Sequence, residues 1–149
     1  MVDDRLADLV RRAFGGEVLG GELFRRLAAE EADPARRRRL FAAQLLEEQT
    51  RDAAEALAAE LGVLLDDGHA DREAGRRASD VLAAMSWPDR MRAVAEATGS
   101  YRQLYGEMGA LLPDPEHPAV VALLAHERAL NAFAAAECSG SGSKAPISP

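Results

Sequence analysis

The sequence predicts an all-α fold. Hydrophobic residues recur every three to four positions along most of the 149 residues, which is the spacing of one face of a helix. No stretch alternates between apolar and polar residues, so no β-strand is predicted. Hydrophobic residues make up 48% of the chain and aromatic residues 5%, and a core of small and unbranched side chains favours helix over strand. The length suits one domain with one core.

The N-terminal part predicts a helical hairpin. Helical periodicity runs over residues 3–14 and again over 17–32. The glycine pair between these segments either interrupts the helix or is absorbed into one longer helix. Asp33 and Pro34 mark the start of the next helix, because Asp is a favoured N-cap and Pro fits the first helical position.

The middle of the chain predicts two further helices. The helix that starts at Pro34 is expected to run to Leu61, where Gly62 ends it. The segment DDGHAD is predicted to be a turn, and a shorter helix follows over 72–85. The segment SWPDR then opens a helix that continues to about residue 112.

The C-terminal part predicts one last helix and a tail. Three prolines in PDPEHP break the chain, and helical periodicity resumes over 118–137. The remaining sequence, CSGSGSKAPISP, is rich in Ser, Gly and Pro, which predicts a disordered tail over 138–149. Residues 1–137 are therefore expected to form one domain of four main helices, with a shorter helix linking two hairpins.

Several polar side chains fall on the predicted inner faces of these helices. At 100° per residue, Glu17, Glu47 and Glu127 each lie within the apolar side of a different helix. Glu48 falls on an outer face, and His126 lies on the flank of the last helix. Other polar residues share the inner faces: Thr50, Thr98, Tyr101, Tyr105 and Asn131.

An inward-facing carboxylate must gain a proton or a partner, because burying a lone charge is costly in free energy. Three of them near one level indicate a shared proton network, a bound cation or a bound ligand. The alternative is that one or two of them lie at the ends of the helices, in contact with water.

Two segments carry a resemblance to a known family. EVLGGELFRRLAAEEADP places Phe24 seven positions after Glu17, and RRLFAAQLLEEQTRDA supplies a carboxylate at Glu47 or Glu48. Over residues 15–137 the chain resembles the ferritin-like superfamily of rubrerythrin-type four-helix bundles. The resemblance implies a ferritin-like four-helix bundle with an extra linking helix. It also implies a di-metal site to which two helices each give a Glu and two each give Glu-x-x-His.

Three positions depart from that pattern. Thr50 stands where the second helix would carry its His, and Thr98 stands where the third main helix would carry its Glu. Leu130 replaces the His of the last helix. The resemblance therefore implies a degenerate di-iron site. The remaining candidate ligands for iron or manganese are Glu17, Glu47, Glu127 and His126.

Two functions follow as alternatives. The first is a binding or interaction module without catalytic activity, which has lost the di-metal centre and keeps a hydrogen-bonded carboxylate cluster. The second is an iron- or manganese-dependent oxidoreductase with an unusual site. A ligand bound around Thr98, Tyr101 and Tyr105 is compatible with the first. No catalytic residue and no organic cofactor are assigned.

Charge and composition restrict the partners. The net charge of −7 disfavours nucleic acid, and the basic run Arg36–Arg39 is interpreted as a solvated helix start. No signal peptide and no run of 18 apolar residues is found, so no membrane contact is expected. A single cysteine, Cys138, suits a reducing compartment, and we expect a cytoplasmic protein. Homodimer formation and a small-molecule ligand are left open.

Overall fold

The computed structural model describes residues 2–140, which form five α-helices and no strand. The helices are α1 (Asp4–Glu30), α2 (Pro34–Leu61), α3 (His69–Ala83), α4 (Trp87–Leu111) and α5 (Pro118–Cys138). The all-α prediction is confirmed. The last helix extends one residue beyond its expected end, through Cys138. Most of the expected tail, from residue 141 onwards, lies outside the described residues.

The helix ends follow from local hydrogen bonding. Asp33 caps α2 by accepting from the backbone N–H groups of Ala35 and Arg36, and Gly62 ends α2 with φ 69°. The helix α3 begins three residues earlier than predicted, because Asp66 and Asp67 accept hydrogen bonds from the backbone just before its first turn.

Four long helices surround the interior in two hairpins. α1 packs along α2, and α4 packs along α5, while contacts between α2 and α5 and between α1 and α4 join the hairpins. The short helix α3 packs on the outside of α1 and touches α4 only sparsely. It therefore links the hairpins from the outer side of the bundle, where Ala78 and Leu82 pack against the core.

The interior has two large apolar zones, besides a small cluster of Phe14, Val18 and Ala54. The first includes Leu9, Leu57, Met108 and Leu123, and the second includes Phe24, Leu40, Met91 and Leu130. Between members of the two zones along each long helix lie polar residues of the predicted inner face: Glu17, Glu47, Thr50, Thr98, Tyr101 and Glu127. A polar layer thus crosses the middle of the core.

A separate cluster closes the far end of the second apolar zone. The Trp87 indole N–H donates to Glu137 Oε2 at 3.1 Å, and Arg39 Nη1 lies 3.0 Å from Glu137 Oε1. The Arg36 guanidinium stacks 4.7 Å above the Trp87 ring. Two members of the basic run Arg36–Arg39 therefore contact buried groups, which corrects its interpretation as a purely solvated helix start.

The helix α5 is the one helix of residues 2–140 that is long and apolar enough, by length and composition, to cross a membrane. A core helix meets the same criteria. In this structure α5 buries His126 and Glu127, and His126 Nε2 lies near carboxyl oxygens of Glu17 and Glu47 on the neighbouring helices.

Candidate metal centre

Four ionisable side chains converge in the polar layer. Glu17 comes from α1, Glu47 from α2, and His126 and Glu127 from α5, and each residue is at most 4% exposed. His126 Nε2 lies 3.2 Å from Glu47 Oε1, 3.7 Å from Glu17 Oε2 and 3.9 Å from Glu127 Oε1. One imidazole nitrogen thus faces three carboxylates from three helices.

The position of His126 differs from the sequence-based expectation. Periodicity predicts His126 on the flank of its helix, yet its side chain is 1% exposed and points at the carboxylates. The reason is that α5 buries a wide arc, which includes Phe133 on the same flank. The available signal is the position of His126 directly before the inward-facing Glu127.

Glu17 is the hydrogen-bonding hub of the layer. The Tyr105 hydroxyl donates to Glu17 Oε1 at 2.5 Å, and the Thr50 hydroxyl donates to Glu17 Oε2 at 2.5 Å. Glu17 and Glu47 also share a side-chain hydrogen bond. These contacts connect α1 to α2 and α4, and they fix the orientation of the Glu17 carboxyl group.

Burial raises the pKa of all three carboxyl groups in the layer. Desolvation by burial raises the pKa of Glu17 well above its usual value, and the charge of Glu47 raises it further. Burial raises the pKa of Glu47 to about 8 and that of Glu127 to about 7. Within residues 2–140 no arginine forms a salt bridge with any of them. The layer therefore favours protons or another cation.

Some buried polar atoms in this layer have no hydrogen-bond partner among the described residues. They are Nδ1 and Nε2 of His126 and Oε2 of Glu127. An unpaired buried polar group costs about 1–3 kcal/mol, so such groups are uncommon unless something else binds them. Lone pairs on both side chains are thus available to a cation or a ligand.

The glycines of the segment GGEVLGG (residues 15–21) allow side chains of neighbouring helices to lie close to the backbone of α1. A Cβ added at Gly20 would lie 2.5 Å from Cδ of Glu47, and one at Gly16 would overlap the ring of Tyr101. The helix runs through both glycine pairs without interruption. Absorption of Gly15-Gly16 into one long helix is therefore the alternative that the structure shows.

The other predicted polar residues occupy the same layer or its edge. Thr98 donates to the Ala95 carbonyl at 2.7 Å and accepts from Asn131 Nδ2 at 2.9 Å. Tyr101 packs beside Tyr105, with ring centroids 6.1 Å apart. Glu48 is half-exposed and accepts from the Gln44 amide, so Glu47 is the inward member of the pair, as the facing argument predicted.

Comparisons with protein-family models, with curated proteins and with solved structures gave no significant match. The resemblance to ferritin-like proteins therefore rests on the sequence motifs described above.

Proposed function

We propose that this protein is a ferritin-like four-helix bundle that binds one divalent metal ion, Mn²⁺ or Fe²⁺, through Glu17, Glu47, His126 and Glu127. The observation that carries the proposal is the convergence of a buried His126 Nε2, which makes no hydrogen bond within residues 2–140, on three carboxylates. Three oxygen donors and one imidazole suit these two ions.

The spacing of the donors supports one shared ion. Two atoms bonded to the same ion at about 2.1 Å are separated by about 3–3.5 Å. The distance from His126 Nε2 to Glu47 Oε1 is 3.2 Å, and the other two distances from this nitrogen are 3.7 and 3.9 Å. Each of three residues, Glu17, Glu47 and His126, offers one donor atom, and these three atoms lie within 4.8 Å of one another. Small side-chain movements would complete the site.

The residues do not fit the dinuclear centre that the family resemblance implies. The Thr50 hydroxyl is engaged with Glu17, and the Thr98 hydroxyl is engaged with Ala95 and Asn131. Leu130, at the place of the second His, packs in the apolar core. Four donors remain, which is a sufficient set for one ion and too few for two.

The surrounding residues would orient the ligands and balance charge. Tyr105 and Thr50 hold Glu17 in place, as hydrogen-bonding neighbours do around metal sites. A divalent ion would offset the repulsion among three buried carboxylates. Such an ion, when bound, supplies Lewis-acid and one-electron redox chemistry.

One observation favours a second candidate, a metal-free binding module. The hydrogen bond shared by Glu17 and Glu47, together with those from Tyr105 and Thr50, satisfies two of the three carboxyl groups without an ion. Of the four ionisable side chains in the polar layer, only His126 and Glu127 would then lack hydrogen-bond partners within residues 2–140. The two candidates differ in whether a metal ion binds.

The test is a titration of chelator-treated protein with Mn²⁺, followed by electron paramagnetic resonance of the free ion. We expect one bound ion per chain and at least a tenfold loss of affinity in His126→Ala and in Glu47→Gln. Glu48→Gln, one residue away on the outer face, should bind as the wild type does. Absence of saturable binding would leave the metal-free module, and two ions per chain would contradict the single-ion site.

A further inference from the structure

An apolar cavity of about 360 Å³ lies between α1, α3 and α4. Its walls are mainly aliphatic, and they include Leu19 and Leu23 of α1, Leu82 and Ala78 of α3, and Val94 of α4. Cavities of this size and lining are typical of sites for small organic molecules.

The inner end of this cavity is the proposed metal site. Glu47 and Glu127 line the cavity, together with Thr98 and Tyr101. Glu127 is 3% exposed, and its Oε2 has no hydrogen-bond partner among residues 2–140. The Thr98 hydroxyl is already engaged with Ala95 and Asn131. Among the buried polar atoms at this end, Glu127 Oε2 is the one without a hydrogen-bond partner in residues 2–140, and a carboxylate oxygen accepts hydrogen bonds.

The packing of α3 keeps the cavity open. A Cβ at Gly75 would lie 2.5 Å from the Leu19 carbonyl oxygen, so this glycine lets α3 lie directly against α1. The same helix makes few contacts with α4. Val81 of α3, which lines the cavity, remains 59% exposed. The apolar side of α3 thus forms the wall and mouth of the cavity and does not fill it.

We infer that this cavity binds an apolar molecule with a single hydrogen-bond-donating head group, such as a medium-chain alcohol, with the head at Glu127. A cavity of about 150 Å³ accommodates benzene, so this one has room for roughly a dozen non-hydrogen atoms. A donor head would satisfy Glu127 Oε2, and the chain would cover the aliphatic walls.

The charge of the site selects against anionic heads. A fatty-acid carboxylate has no proton to donate to Glu127 Oε2, and its charge would be buried beside the carboxyl groups of Glu47 and Glu127. The inference rests on the proposed function only in that Glu127 belongs to the same centre. Glu127 Oε2 can accept a hydrogen bond from a hydroxyl group with or without a bound metal ion.

The test is calorimetric titration of the full chain with 1-octanol and with octanoate, in the metal-free and the Mn²⁺-treated states. We expect saturable binding of octanol and at least tenfold weaker binding of octanoate. Glu127→Leu should remove this preference for the alcohol head. The comparison of the two probes on the wild type does not depend on any variant.

A cavity-filling variant locates the binding site. Ala78→Phe should weaken octanol binding at least tenfold, whereas Ala70→Phe, at an exposed position of the same helix, should leave it unchanged. Octanol that fails to bind, octanoate that binds as tightly as octanol, or an Ala78→Phe protein with unchanged affinity would each overturn the inference. Octanol binding with these properties but no Mn²⁺ binding would refute only the proposed metal function, and the reverse result would refute only the cavity ligand.

Discussion

Gly20 of α1 lies directly against the carboxyl group of Glu47 on α2, where an added methyl group would fall 2.5 Å from Cδ. Gly20→Ala should therefore push Glu47 out of the polar layer. We expect at least a tenfold loss of Mn²⁺ affinity and a lower melting temperature, although Ala is the better helix former by about 1 kcal/mol.

Gly21→Ala provides the matched control. At this neighbouring position the nearest group is Cβ of Glu47, at an ordinary contact distance of 3.9 Å. The substitution should raise the free energy of unfolding by about 0.5–1 kcal/mol and leave Mn²⁺ affinity unchanged. Equal effects of the two substitutions in thermal melts and metal titrations would show that Gly20 has no role in placing Glu47.

Tyr105→Phe removes the hydrogen bond to Glu17 Oε1 while keeping the buried ring. We expect a loss of about 1–3 kcal/mol of unfolding free energy, because a buried carboxyl oxygen loses its donor. Tyr101→Phe makes the same change one turn earlier, where no hydrogen bond to the described residues is lost, and should cost less than about 0.5 kcal/mol. Urea denaturation of the metal-free proteins measures both, and equal losses would contradict the role given to Tyr105.

Glu127→Leu should stabilise the metal-free protein. Its Oε2 lacks a hydrogen-bond partner in residues 2–140, so the substitution removes a desolvated group without leaving another unpaired. We expect a gain of about 1 kcal/mol in urea denaturation and the loss of Mn²⁺ binding, the trade-off typical of functional sites. Glu48→Leu, on the outer face, should change stability by less than about 0.5 kcal/mol. Destabilisation by Glu127→Leu would indicate that this carboxyl group has a structural partner.

The stability of the metal-free protein should fall as pH rises from about 4.5 to 8. The reason is that burial raises the pKa of Glu47 to about 8 and that of Glu127 to about 7, so the folded state retains protons that the unfolded chain releases. Exposed carboxylates with lowered pKa values, such as Glu73 and Asp89, titrate below this window. Denaturation curves across the range should show the decline, and Glu47→Gln should make it shallower. A flat profile in the wild type would refute the raised pKa values.

The helices and the facing of the glutamates could be predicted from the sequence, because both follow from periodicity along one chain. Glu47 and Glu48 were distinguished in this way, and residue type alone predicted the cap at Asp33 and a helix start within SWPDR. The inward position of His126 could not be predicted, since it depends on how wide an arc α5 buries against its neighbours. The close approach at Gly20 depends on the spacing between two helices, which no single-helix pattern contains.

The cluster around Trp87 has a consequence for spectroscopy. Trp87 is the single tryptophan of the chain, and the two tyrosines, Tyr101 and Tyr105, both lie at the proposed metal site. Trp87 and Tyr105 lie eighteen residues apart on α4, which corresponds to about 27 Å along the helix axis. Tryptophan emission therefore reports the distant end of the core, and tyrosine absorbance reports the centre. The chain carries two separate intrinsic chromophores, so local changes at the site and opening of the whole fold can be followed at different wavelengths without a label.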